Sequence, residues 1–159
     1  MNDAIEAAKK SLRLKELLLK SYTVEVSDEL SEAQGGMDVS LSMRSGISKR
    51  KMILDDNDKV IGIRYLYKCD LRLKNKPSNT NEPTIETDED ISHFTLTASF
   101  AVDYEMKLQL EEEAMSTFGK VNVGYHVWPF WRELVQSTCN RVGISPISLP
   151  FYNPPKHKK

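Results

Sequence analysis

Two stretches of the chain alternate strictly between apolar and polar positions. In the first, Ile61, Ile63, Tyr65, Tyr67, Cys69, Leu71 and Leu73 take every second place, against Gly62, Arg64, Leu66, Lys68, Asp70 and Arg72. In the second, Phe94, Leu96, Ala98, Phe100, Val102, Tyr104 and Met106 alternate with Thr95, Thr97, Ser99, Ala101, Asp103 and Glu105. A period of two places successive side chains on opposite faces, so each run predicts a long strand with one dry and one wet face. Val39, Leu41 and Met43, set against Asp38, Ser40, Ser42 and Arg44, repeat the pattern over a shorter span.

The N-terminal segment reads in two ways. Residues Asp3 to Lys20 fit an amphipathic helix with Ile5, Ala8, Leu12 and Leu19 near one face. Alternatively, Leu12/Leu14, Leu17/Leu19 and Tyr22/Val24/Val26 are three period-two pieces separated by two changes of phase. One extra residue in a strand turns it over, which is what a β-bulge does. The favoured reading is a short helix to about residue 10 followed by a bulged strand.

Turn chemistry separates these elements. Gly35-Gly36 marks the turn into the Val39 strand, and Asp55-Asp56-Asn57-Asp58 offers side chains that can bond their own backbone in a reversal. Lys74 to Ser92, with Pro77, Pro83 and the acids from Glu86 to Asp90, predicts a long mobile loop between antiparallel strands.

The period then changes. Glu111-Glu112-Glu113 suits the positive end of a helix dipole. Pro129 can open a helix because its missing N–H is not needed there. Beyond it, Trp131, Leu134, Val135, Thr138, Cys139 and Val142 recur at helical spacing, with Gly143 as the C′ residue. Ile144 to Phe151, interrupted by Pro146 and Pro150, predicts an extended segment packed against the rest. Strands first and a helix after them give an α+β class: an antiparallel sheet carrying a long C-terminal helix. One domain over 1–159 is expected, with 1–10 a helical extension and 153–159 a disordered basic tail.

Composition narrows the function. The 22 basic and 23 acidic side chains leave a formal charge of −1, so no global field favours nucleic acid. Cys69 and Cys139 are the only cysteines and support neither a disulfide framework nor a zinc site. With no signal-like start and no apolar run of spanning length, cytoplasm is the expected compartment.

Catalytic signals are thin. His93, His126 and His157 have no Ser or Cys at a diagnostic spacing. Gly119 to Gly124 superficially suggests a phosphate loop, but Tyr125-His126 follows where Lys-Ser/Thr is required. The acids from Glu86 to Asp90 lack the glycine and spacing of a calcium loop. Neither enzyme activity nor a cofactor is expected.

The unusual feature is aromatic. Val127-Trp128-Pro129-Phe130-Trp131 sets three large rings around one proline, and Phe151-Tyr152 adds two more. Consecutive helical residues lie about 100° apart, so these rings cannot all be buried in one direction. Some of them must meet a second body.

These residues resemble the SecB family of export chaperones. The family pattern is an apolar pair, Phe-Pro-Tyr-Ala-Arg-Glu, helix, Gly and a Pro-Asn-Leu-type segment. The corresponding order here is Val127-Trp128-Pro129-Phe130-Trp131-Arg132-Glu133, helix to Gly143, then Pro146-Ile147-Ser148-Leu149. Upstream, the bulged strand ending near Lys20-Ser21-Tyr22-Thr23-Val24-Glu25 and the three strands after it are also similar, so the likeness covers roughly residues 11 to 152.

The resemblance implies a four-stranded antiparallel sheet, assembly as a dimer of dimers, and a nucleotide-free holdase that binds unfolded clients in apolar grooves. Carried over by position, Trp128 and Phe130 belong at or beside the client groove, with Met43 and Leu66 proposed from pattern. Trp131, Leu134, Val135 and Thr138 are placed at the subunit interface.

The chain departs from the family in three places. Ser21 stands where the family has its acidic contact for the motor SecA, with Glu25 the nearby acid. Export members are strongly acidic, whereas this chain is nearly neutral. Nothing matches the family's C-terminal helix after the Pro-Leu segment. A solitary chaperone guarding an antitoxin fits these departures at least as well as an export role. The rival readings are a small-ligand-binding or enzymatic domain with a pocket between sheet and helix, and a binding subunit dedicated to one folded partner.

Overall fold

The computed structural model describes residues 2–32, 38–75 and 92–154. Helix α1 (Asn2–Ser11) leads into strand β1 (Leu12–Val26) and the short helix α2 (Asp28–Glu32). Strands β2 (Val39–Leu54), β3 (Val60–Asn75) and β4 (Ser92–Met106) follow. The C-terminal helical part runs as α3 (Glu112–Phe118), a π-helical turn (Gly119–Val123) and α4 (Gly124–Val142). The expected Gly35-Gly36 turn, most of the expected 74–92 loop and the terminal basic residues Lys156 to Lys159 lie outside the described residues.

The four strands form one antiparallel sheet in the order β1-β4-β3-β2. Strand β1 has the two expected phase changes, between Leu14 and Glu16 and between Leu19 and Ser21. With Lys15 and Lys20 looped out, Leu12, Leu14, Leu17, Leu19, Tyr22, Val24 and Val26 all stand opposite the apolar face of β4. The helix at the N-terminus and the bulged strand after it are therefore both present. Ser11 closes their junction, its hydroxyl accepting from the Leu108 amide at 3.0 Å and donating to the Leu108 carbonyl at 2.5 Å.

Strand β2 is longer than its pattern predicts. Its alternation is hidden by a bulge between Ile47 and Lys49, which moves the sheet's inner face from odd to even positions. Before the bulge Met43, Ser45 and Ile47 face inward; after it Arg50 and Met52 do. The reversal into β3 uses Asp55, whose Oδ1 accepts from the amides of Asn57 (2.9 Å) and Lys59 (3.0 Å), with Asp58 at φ 58°.

The core lies between the sheet and the helix. Ile63, Tyr65, Cys69, Leu71, Phe94, Leu96, Val102 and Tyr104 are buried to within 1% on the sheet side. Val123, Val127, Trp131, Val135 and Cys139 meet them from the helix. These five recur every four residues. On an ideal α-helix that spacing drifts by about 40° per step. The wider turn at Gly119–Val123 leads into this row and joins α4 to α3, where Ala114, Met115 and Phe118 are buried, so both helices present apolar sides to the core.

Pro129 does not open a helix as its type predicts; it lies inside α4. The helical part begins upstream at Glu112, just after Glu111, and continues through the glycines of the π turn. Proline removes the donor for the Tyr125 carbonyl. Tyr125 and Pro129 both lie on the exposed side of the helix, where water can serve that carbonyl. Gly143 ends α4 at φ 74°, the left-handed cap expected of it. The 144–154 segment has no regular structure and packs through Leu149, Ile144 and Ile147.

Candidate functional site

Most of the sheet's buried polar chemistry is structural. Arg64 pairs with Asp103 through two bonds of 2.6 and 2.7 Å. The Asp103 carboxylate holds the guanidinium pKa above its ordinary value. His93 is fully buried between Ser27 and Asn75, at 3.1 and 2.7 Å. His126 Nδ1 lies 2.7 Å from the Tyr104 hydroxyl, and burial lowers its pKa. Burial also pushes the Cys69 thiol up to about 12, which keeps it protonated and inert.

The open site lies along the inner face of β2. A cavity of about 440 Å³ is bounded there by Ile47, Arg50, Tyr65, Tyr67 and the helix residues Gly119 and Lys120. A second, of about 210 Å³, continues from it between Met43, Trp128, Trp131 and Phe151. Ser45, Tyr152 and Asn153 border both, so the two form one groove between strand, helix and C-terminal segment.

Glycines let the walls come close. A methyl group at Gly119 would sit 2.6 Å from Ile47 Cδ1 and 2.8 Å from Tyr65 Cε1. One at Gly124 would collide with the Tyr152 ring. Tyr152 therefore lies flush on the helix, 4.7 Å from the Tyr125 ring and 5.4 Å from the Trp128 ring between centroids. The Trp128 indole fixes the segment further by donating to the Pro150 carbonyl at 2.9 Å. Below them the Tyr67 hydroxyl donates to Ser45 Oγ at 3.1 Å, and the Tyr65 hydroxyl to the Met115 carbonyl at 2.7 Å. Burial raises the pKa of both tyrosines, so these hydroxyls stay protonated donors.

The residues named from sequence separate into groups. Met43 and Trp128 meet in the groove. Phe130, about 100° round the helix from Trp131, is 52% exposed, whereas Trp131 is 1% exposed. The three-ring cluster is thus split as the 100° step requires. Leu66 is not brought to the groove: it pairs with Lys49 and Ala101 on the opposite face of the sheet from Tyr65 and Tyr67. Trp131, Val135 and Thr138 point into this chain's own core, and Leu134 is half-buried beside them. Tyr65, Tyr67, Tyr152, Arg50 and Lys120 were not singled out for the site. Only the inward phase of the two sheet tyrosines and the paired glycines of the helix hinted at it.

No protein-family model matches the chain, and no curated protein sequence matches it. Its architecture does match a solved structure. A Mycobacterium tuberculosis protein, the Rv1957 SecB-like chaperone in complex with a ChAD peptide from the Rv1956 HigA1 antitoxin, superposes with a TM-score of 0.69 at 15% sequence identity. The match covers 97% of this chain and 99% of that one. This chain has a SecB-like fold. The four-stranded antiparallel sheet and long C-terminal helix expected from the sequence are the SecB-like architecture. Among the described residues, no helix of this SecB-like chain is long and apolar enough to cross a membrane.

Proposed function

We propose that this protein is a nucleotide-independent holdase of the cytoplasm that binds non-native polypeptides in the β2 groove. The observation that carries the reading is the groove itself, open along one side and walled by Met43, Ile47, Tyr65, Tyr67 and Trp128. The SecB-like chaperone of similar fold, which holds an antitoxin peptide, supports it and makes an antitoxin the model client. Export through SecA is the alternative destination for clients.

An unfolded segment that buries about 1,000 Å² of apolar surface gains roughly 25 kcal/mol gross. Ordering and association costs remove most of that, leaving useful affinity without demand for one sequence. A native client keeps the same side chains inside and has nothing to offer.

Assembly as a homotetramer is part of the proposal. Leu14, Leu19 and Tyr22 of β1 are 42–44% exposed on the apolar face, and Phe130 and Leu134 leave further apolar area on the helix. Leu134 remains an interface residue in this scheme. Trp131, Val135 and Thr138 act from beneath, by holding the helix surface in place.

The test is the light-scattering mass of the purified protein, alone and mixed with one client kept either unfolded or native. A tetramer that gains mass only with the unfolded form is the expected result. A monomer indifferent to both would overturn the proposal and favour a small-molecule pocket, for which about 440 Å³ is a suitable volume.

A further inference from the structure

Beyond its apolar floor, the groove has a one-sided charge. Arg50 and Lys120 line the larger cavity, Arg44 lines the smaller, and among the described residues no Asp or Glu lines either. The chain as a whole carries −1, so this rim does not mirror an overall positive charge. Arg50 reaches the groove only because the bulge after Ile47 moves even-numbered residues to the inner face. There it meets Glu112, whose side chain is 72% exposed and free to exchange with solvent. Lys120 has no hydrogen-bond or ion-pair partner among the described residues, and it sits one residue beyond Gly119 at the cavity mouth.

We infer that the groove selects client segments in which a carboxylate stands beside a large apolar side chain. This rests on the holdase reading of the same site and adds to it the chemistry of the client. The apolar side chain enters over Ile47, Tyr65 and Tyr67. The neighbouring carboxylate meets the Lys120 ammonium and competes with Glu112 for Arg50. A low-dielectric floor beneath the charges strengthens that attraction relative to open water. A lysine in the carboxylate's place would face like charge at the rim, and such repulsion discriminates between partners more than it adds affinity.

The experiment uses the full chain and three fluorescein-labelled synthetic peptides. They share a Gly/Ser frame and a tryptophan, followed by Glu, Gln or Lys. Anisotropy titrations at low salt are expected to rank Glu over Gln over Lys, with about tenfold or more between the extremes. Added salt is expected to narrow the gap, since the rim is partly exposed.

Lys120→Glu, at an exposed and unpartnered position, is expected to fold normally and to abolish or invert the ranking. Equal binding of the three peptides would overturn this inference while the holdase reading stands. A ranking unchanged in Lys120→Glu would overturn the assignment to this rim. If neither the peptides nor an unfolded client binds, the holdase reading falls and the inference falls with it.

Discussion

The two central strands and the two edge strands share one apolar pattern but not one fate. On β3 and β4 the inward residues from Ile63 to Leu71 and from Phe94 to Val102 are at most 3% exposed. On β1 and β2, inward residues of the same type stay open: Leu14, Leu19, Tyr22, Leu41 and Met52 lie between 39 and 44%. A period of two specifies which side of a strand is dry. It does not specify what dries it, and one helix across four strands covers only the middle fully. The uncovered margins are where a second body can gain most from contact, whether that body is a client or another subunit.

Substitutions on either side of this divide should behave differently. Trp131→Ala, beneath the helix, is expected to cost about 3–5 kcal/mol of unfolding free energy by urea titration. Phe130→Ala, one residue away and exposed, should leave stability within about 0.5 kcal/mol. Equal losses at the two positions would erase the distinction between covered and open rings.

Next in size, Asp103→Asn weakens the bidentate pair with Arg64 on the central strands. A loss of about 1–3 kcal/mol is expected, read as a lower thermal midpoint. At the edge, Leu19→Ser should change monomer stability by less than about 1 kcal/mol, yet lower the mass seen by light scattering. An unchanged mass would remove β1 from the proposed subunit contact.

The smallest effect concerns acidity. Burial depresses the pKa of His126, so the unfolded chain binds its proton more readily than the folded one. The resulting stability is fully present above the unfolded value near 6.5 and is lost as pH falls from there towards the folded pKa. His126→Gln should flatten that part of a stability–pH curve, measured by urea midpoints.

Legibility in the sequence followed how far each element obeys a simple period. The bulges of β1 could be read because Lys15 and Lys20 interrupt an otherwise leucine-rich alternation, so the phase breaks are visible. The second half of β2 was hidden because its bulge coincides with Lys49, Arg50 and Lys51, which mask the resumed alternation. Proline misled at position 129 because its helix-opening preference is only local, whereas the helix is held by sheet contacts on both sides of it. Leu66 shows the opposite lesson: its place between Tyr65 and Tyr67 already assigned it to the other face. The groove itself depends on Tyr152 meeting Gly124 and on Gly119 meeting Ile47 and Tyr65. No period encodes such contacts between distant segments.

The π turn at Gly119–Val123 has a consequence for heredity. A helix that carries one surplus residue per turn has absorbed the equivalent of a one-codon insertion, and its downstream half is aimed by it. Deleting one codon there would close the wide turn to an ordinary α-helical one and keep Trp131 and Val135 on the sheet, whereas deleting one between Gly124 and Val127 would rotate everything beyond by about 100°. The same deletion between residues 144 and 148 meets no regular repeat, so it shifts the packing of Ile147 and Leu149 without rotating a helix face. Two lesions of equal length in the gene are thus unequal in the protein, and variants of this chain should tolerate a one-residue loss in that turn or after Gly143 better than one within α4.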